Sequence, residues 1–440
     1  MSKTRENLDL LRRYESRNVT FLDPDGTWPI VWDRAEGVHV WDAEGKQYLD
    51  LTAAFGVATA GHANPAVVAA GQKQMAKLLH AMGDVHPHGL KAQLAQKLSQ
   101  ITFERWTQTA NARSQTPAPI TAKVIFCNSG FEAVEAALKT AMLTGGKYGV
   151  IAFKGAYHGL GYGTLNATHR EHFRGPFGLQ LKQFGNWVDF PTKASDLPVV
   201  ELQIRRFFAR GWVGAILVEP VQARGGINVP PPGFLPLLRK LCDEYKALLV
   251  LDEIYTGFGR TGKWFACEHS NVVPDLICLG KALTGGFPLS ACVGRADVMD
   301  AAWPASEGEA IHTSTFLGHP VGCAMALAQI GEIERLQLLE RSATLGASLL
   351  SQLESIHVPH ATLRVSSRGL GLMAGHELRR ADNAPATAET ITAMKRLLQR
   401  GYIVLPEGEH SNIISFTPPL TITEAQLAET VKALEEVLNA

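Results

Sequence analysis

Asp252 and Lys281 each close a short apolar run in the middle of this chain, and they are the residues best placed to do chemistry. Asp252 ends the run ALLVLD at 247–252, and the run 275–279 leads into Gly280 and Lys281, followed by Gly285 and Gly286. Continuous apolar runs of this length read as parallel strands buried on both faces, which puts a carboxylate and an amine at neighbouring strand ends. A lysine amine so placed can form a Schiff base with an aldehyde. A carboxylate so placed can keep a pyridine nitrogen protonated, so that the ring accepts electrons from a carbanion. These are the two requirements of pyridoxal phosphate chemistry. Taken singly, Lys281 reads as an ordinary lysine after a turn and Asp252 as a helix cap; the surrounding motifs give the pair its meaning.

The elements that must position these groups alternate along the chain. Strands are expected at 123–127, 148–153 and 215–219, with helices at about 131–143 and 234–246. Strand–helix alternation of this kind predicts an α/β fold with a parallel sheet covered on both faces. In such sheets ligands bind beyond the carboxyl ends of the strands, where Ser129, Glu219 and Asp252 all fall. Short strands at 38–41 and 47–49 flank the turn 42–45, and residues from about 335 to 440 mix helices with strands such as 412–416. The Pro-, Ser- and Thr-rich stretch 111–121 reads as a loop.

Further motifs follow in order. CNSGFEAVE at 127–135 is a strand, a small-residue turn and a helix start, and the helix N-terminus with its free N–H groups and positive dipole is a phosphate cradle at Ser129, Gly130 and Phe131. FKGAYHG at 153–159, VEPVQ at 218–222 and HTSTFLGHP at 312–320 complete the set. In this order the motifs resemble the class III aminotransferases, the fold-type I pyridoxal phosphate enzymes that include ornithine, 4-aminobutyrate and amine:pyruvate aminotransferases. The resemblance runs from about Thr20 to Leu438. It implies Lys281 as the lysine bonded to the cofactor and Asp252 as the pyridine partner. Tyr157 is then the aromatic residue stacked on the cofactor ring, with His158 supporting its loop. Gln222 is the donor to the phenolic oxygen, and Glu219 a support behind it. Thr315 would reach the phosphate of a neighbouring subunit, which implies a homodimer with both sites at the interface. Phe131 stands where the family has Thr or Ala, and His319 where it has Asn.

The resemblance also implies an architecture: a large cofactor-binding domain at 61–330 with a mostly parallel sheet of the seven-stranded type, and a smaller α+β domain made from 1–60 and 331–440.

Two further positions depart from the pattern. Many relatives bind a substrate carboxylate with an arginine three residues before the C-terminal Pro-Pro-Leu; here that residue is Ser415, and no arginine follows Arg400. Ornithine and 4-aminobutyrate aminotransferases pair that arginine with a glutamate two residues past the Gln222 position, where this chain has Arg224. Arg224 facing a second arginine would be repelled, and Ser415 avoids this. Two arrangements are open: Arg224 takes over carboxylate recognition through its planar fork, or it pairs with an acidic residue such as Glu407 or Glu409. Without the C-terminal arginine, terminal amines and ω-amino acids suit the donor better than α-amino acids, with pyruvate or 2-oxoglutarate as acceptor in a ping-pong cycle.

Composition narrows the classes. A chain of 440 residues with 46% apolar residues buries a large core, and 42 charges of each sign leave no electrostatic footprint for nucleic acid or an anionic membrane. No apolar run reaches the length of a membrane span, and the N-terminal segment is polar. Six scattered cysteines without a CxxC pair fit a reduced, cytoplasmic protein, and no metal site is expected. The same fold and lysine serve lyases, decarboxylases, racemases and aminomutases, and a fold can outlive its chemistry as a scaffold. The retained Lys281, Asp252, Gln222 and Thr315 speak against a scaffold.

Overall fold

The computed structural model describes residues 2–20, 28–111, 120–358 and 363–440, so 112–119 of the expected loop lie outside the described residues. The apolar runs that dominate the middle of the chain become one seven-stranded sheet: β1 (Ala122–Cys127), β2 (Gly149–Phe153), β3 (Gly185–Val188), β4 (Val213–Val218), β5 (Leu248–Asp252), β6 (Leu276–Leu279) and β7 (Ser290–Arg295). Their spatial order is β1-β7-β6-β5-β4-β2-β3. The pairs β2–β3, β2–β4, β4–β5 and β5–β6 are parallel, while β7 runs against both β6 and β1. The mostly parallel sheet expected from the sequence is therefore present.

Two-residue alternation explains why these strands are apolar throughout. Ala152, Ala215, Leu217, Val250, Leu276 and Cys278 point to one core, packed against the helix Gly130–Gly145 through Ala133, Ala136, Ala137 and Ala141. Ile151, Ile216, Leu249, Leu251 and Ile277 point to the other, where Leu197–Phe208 and Phe234–Tyr245 lay down Val200, Ile204, Leu238 and Leu241. Each large aliphatic side chain so buried contributes about 1.5–3 kcal/mol. The alanine face of Gly130–Gly145 lets that helix lie close to the sheet, which fixes where its N-terminus points. Asp275, expected within a strand, lies just before β6; its carboxylate accepts Leu249 N–H and pairs with Arg239 and Arg295.

The two chain ends share a sheet. Trp32–Glu36, His39–Asp42 and Gln47–Asp50 form an antiparallel meander, and Tyr402–Ile403 adds to it in parallel, with Tyr402 opposite Leu49. Leu363–Gly369, Ala374–Arg380, Ile413–Phe416 and Leu405–Glu407 form another four-stranded sheet. Arg260, in the loop after β5, is fully buried and donates from Nη1 to the carbonyls of Leu372 (3.0 Å) and Pro418 (2.6 Å). Beside it Gly371, at φ +58°, touches the Thr261 backbone so closely that a Cβ would lie 2.4 Å from the Thr261 carbonyl carbon. No helix among the described residues is long and apolar enough to cross a membrane.

Gly371→Ala is expected to lower stability by about 2–4 kcal/mol, from left-handed backbone strain and overpacking together, read from urea denaturation of the cofactor-free protein.

Candidate active site

The carboxyl ends of the parallel strands converge on one cavity of about 370 Å³, lined by Gly130, Phe131, Tyr157, His158, Glu219, Asp252, Tyr255 and Lys281 among others. Strand register explains the convergence. Asp252, the last residue of β5, lies opposite Cys278 of β6, so the chain leaving β6 brings Lys281 to the same end of the sheet. Lys281 itself adopts φ +38°.

Asp252 is 5% exposed and fully engaged. Its Oδ1 accepts the N–H of Ile254 at 3.1 Å, and its Oδ2 lies 2.8 Å from His158 Nδ1. His158 is buried as well, held through its own N–H to Thr168 Oγ1 at 2.9 Å, with Nε2 buried and unpartnered. A carboxylate is thus aimed by a histidine whose position its neighbours fix. Glu219, at the end of β4, accepts Tyr157 N–H (3.0 Å) and Ala223 N–H (3.2 Å). Burial, with Asp252 nearby, pushes its carboxyl up to about 7 against the opposing pull of His158. Lys281 is pushed below the ordinary lysine range by burial and Arg224, while Asp252, Glu219 and Glu407 act the other way. A lysine so desolvated has more neutral amine at neutral pH than one in water.

The remaining walls suit an aromatic anion. Gly130–Gly145 begins at the cavity, with Glu132 accepting the N–H groups of Asn128 and Ser129 at 2.6 and 3.1 Å. Its first-turn N–H groups and positive dipole end form an anion cradle. Ser129 Oγ is buried without a partner, as a hydroxyl awaiting an acceptor would be. Phe131 supplies only its backbone and an exposed ring that lines the cavity. The Tyr157 ring is braced edge-on by Phe173, 5.6 Å between centroids, with the Arg224 guanidinium 5.8 Å over its face. A carboxylate for a pyridine nitrogen, an amine for an aldehyde, an anion cradle and an aromatic wall together fit pyridoxal phosphate.

A wider mouth of about 750 Å³ opens beyond this cavity, sharing Tyr157, Arg224, Tyr255 and Lys281 with it. Trp28, Ile30, Phe55 and Leu405 make it largely apolar, and Arg170 adds a second guanidinium. Arg224 pairs with Glu407, Nη1 to Oε2 at 3.5 Å, which is the second of the two arrangements its sequence left open. It still lines the mouth and is one-third exposed. Ser415 is buried and donates to Leu405 O at 3.1 Å, within the sheet rather than in the mouth.

One expected site residue does not join the cavity. Gln222 is buried with its amide committed elsewhere: Nε2 donates to Lys154 O at 2.8 Å, and Oε1 accepts from Asn228 at 3.1 Å. Thr315, expected to act on a neighbouring subunit, is exposed in a loop apart from this chain's own cavity. Conversely, His158, Tyr255 and Arg170 reach the site although their chemistry was not legible beforehand. His158 could have been suspected only from its place beside Tyr157, since Asp252 lies far away in sequence.

The chain matches the family model described as aminotransferase class-III over residues 22–438. It is 38% identical to putrescine aminotransferase of Pectobacterium atrosepticum, over 94% of this chain and 83% of that one. It is 35% identical to 5-aminovalerate aminotransferase of Pseudomonas aeruginosa, over 100% and 99%. Among solved structures, an amine transaminase from an uncultivated Pseudomonas species in its PLP-bound form superimposes with a TM-score of 0.85 at 28% identity, covering 97% of this chain and 98% of that one. A transaminase from the marine bacterium Virgibacillus gives 0.87 at 26% identity, covering 99% and 98%. The cofactor chemistry inferred from the cavity and the kinship agree: this chain belongs to the class III aminotransferases and is a pyridoxal-phosphate-dependent transaminase.

Proposed function

We propose that Lys281 is the lysine that bonds to the cofactor and that the enzyme moves the terminal amino group of an amine or ω-amino acid to a keto acid, pyruvate or 2-oxoglutarate. The observation that carries this reading is the pairing of a histidine-held carboxylate, Asp252, with the desolvated amine of Lys281 at adjacent strand ends. In this reading Asp252 holds the pyridine nitrogen protonated, and the N–H groups of Gly130 and Phe131, with Ser129 Oγ, hold the phosphate. Tyr157 covers the ring and excludes water, and Glu219 fixes Tyr157 through its backbone. Gln222 acts at one remove, shaping the loop that carries Arg224.

When bound, pyridoxal phosphate supplies an aldehyde that takes up the amino group and a ring that withdraws electrons from the adjoining carbon. The protein's part is proton movement. Lys281 Nζ, once displaced by the donor amine, takes the proton from the donor carbon and returns it one position away. Its lowered basicity keeps it neutral enough to do so. The keto acid then runs the cycle in reverse.

The mouth supports the choice of substrates. Apolar walls accommodate the chain of a terminal amine, and the relatives named for putrescine and 5-aminovalerate suggest the same donor class. Arg224 offers the acceptor a planar fork for its carboxylate when it leaves Glu407. Exposed Met82, Val85, Ile311 and Phe316 lie on segments joined by the hydrogen bond Thr313 Oγ1 to Asp84 Oδ2 (2.6 Å). We propose that a second copy covers them and brings its Thr315 to the phosphate. Six free, buried cysteines suit a reducing cytoplasm.

Putrescine or 5-aminovalerate alone should bleach the visible absorbance of the bound cofactor, and pyruvate or 2-oxoglutarate should restore it. Product release with the absorbance intact would instead indicate a lyase, decarboxylase or aminomutase. Lys281→Ala should abolish both changes. His158→Ala strips Asp252 Oδ2 of its partner, and kcat is expected to fall about 10- to 100-fold with donor KM little changed.

Glu407, lifted to about 7 chiefly by burial, is neutral below that pH and charged above it, where it competes for Arg224. The keto-acid KM should therefore rise about tenfold as pH climbs from 6 to 8. Glu407→Gln should flatten that rise, and an unchanged profile in this variant would remove Glu407 from acceptor binding.

A further inference from the structure

Tyr255 stands beside the proposed reacting lysine, and three contacts fix its ring. Lys281 Nζ lies over the ring face, 4.2 Å from the centroid. The Tyr255 hydroxyl is 3.2 Å from Thr417 Oγ1, which itself donates to Thr52 O at 3.2 Å. At its edge stands Gly56, where a Cβ would fall 2.9 Å from Tyr255 Cε1.

The wall on that edge is unusually firm. Ala53, Ala54, Phe55 and Gly56 have φ of +46°, +49°, +63° and +78°, a left-handed turn of which three residues are not glycine. L-residues are strained in that region, so the turn persists only because its surroundings over-determine it. Asp50 does this: it accepts the N–H groups of Thr52 and Ala54 and the Thr52 hydroxyl, and is itself held by His62 at 2.7 Å. The turn that touches the ring is anchored in the buried interior, and the hydroxyl is tied on another side. The ring is a fixed platform.

A fixed aromatic face under an amine attracts the ammonium form, most where water is excluded. Among the described residues no carboxylate comes within ion-pairing distance of Lys281 Nζ. The charges that act on it from a distance are Asp252, Glu219 and Glu407, which favour its proton, and Arg224, which opposes it. Tyr255 stays a neutral phenol, pushed up to about 12 by burial and Glu407, so its influence on the amine comes through the ring face.

We propose that Tyr255 is the positioning residue of Lys281: its clamped ring holds the free amine and stabilises Nζ in its protonated form, at the moment when Nζ carries the proton taken from the donor carbon. This rests on the reading of Lys281 as the reacting lysine. Burial alone would make that lysine a ready base but a poor proton carrier; the ring face restores part of its affinity for the proton.

The test uses the full-length protein freed of cofactor. Acetic anhydride labels Lys281 only in its neutral form, and mass spectrometry of its peptide across pH gives the midpoint at which Nζ loses its proton. Position 255 carries tyrosine, phenylalanine, or phenylalanines with one, two or three ring fluorines, which keep the shape and drain the face of negative charge. Phenylalanine should leave the midpoint unchanged. The fluorines should lower it stepwise, by roughly half to one pH unit across the series. Tyr255→Leu should lower it too. A midpoint indifferent to fluorination, or one that rises in Tyr255→Leu because water reaches the amine, overturns the proposal. Pyridoxal phosphate must protect Lys281 from the label in every variant; loss of that protection in the unmodified protein would overturn the assignment of Lys281 itself.

Discussion

A carboxylate at the end of a strand buried on both faces is the constraint on which the site depends. Asp252 lies where the sheet is most apolar, with Leu249, Val250 and Leu251 fully buried before it. A charge there persists only if its oxygens are occupied. His158 and the Ile254 N–H occupy them, and His158 in turn needs the 153–168 loop folded so that Thr168 can hold its backbone. Glu219, a second carboxylate in the same low-dielectric space, yields instead: burial and Asp252 push it towards the neutral form. The two acids differ in their partners: Asp252 has a histidine at hydrogen-bond distance, and Glu219 has only backbone donors.

The same constraint shapes the amine opposite. Lys281 enters because β5 and β6 are adjacent and parallel, so both chains exit the sheet on one side. Its desolvation follows from the packing that buries Asp252, and one apolar architecture therefore sets both reactive groups. The chain ends close the other side: Leu405 and Glu407 come from a strand of the C-terminal four-stranded sheet, and Thr52, Ala54 and Phe55 from the segment that follows the N-terminal meander. Tyr255 touches both chain ends, through Thr417 and Gly56, and so joins Arg260 and Arg224 among the points where the large sheet's loops meet them.

The parallel strands, the helix that starts at Gly130, and the Asp252–Lys281 pair were legible because each is written locally, as an apolar run followed by a polar residue. Side chains whose meaning depends on a distant partner were not. His158 gains its role from a contact 94 residues away. Gln222 has the residue type of a cofactor donor, yet Asn228 and Lys154 O capture its amide, a competition settled by how the 220–228 loop turns back on itself. Tyr255 reads as an ordinary aromatic until the left-handed turn at 53–56 is seen against it, and no residue type announces three non-glycine residues in that conformation. Arg170 lacks a motif, and its place in the mouth comes from its bond to Arg224 O.

Arg224 and Glu407 are joined across the mouth. The resemblance to ornithine and 4-aminobutyrate aminotransferases implies a glutamate on the loop after β4 and an arginine near the C-terminus; here the loop carries the arginine and a C-terminal strand the glutamate. Ser415, at the relatives' arginine position, turns inward to Leu405 O and leaves the mouth. Arg224 and Glu407 span the gap between that loop and a C-terminal strand. In the proposed reaction, a mouth that admits both a cationic amine and an anionic keto acid gains from a guanidinium that is free for one and neutralised for the other, and an internal carboxylate is the simplest counter-ion. Glu407 suits this part because its own charge is weakly held: buried, with Oε2 lacking a hydrogen bond, it binds the guanidinium loosely enough at 3.5 Å to release it.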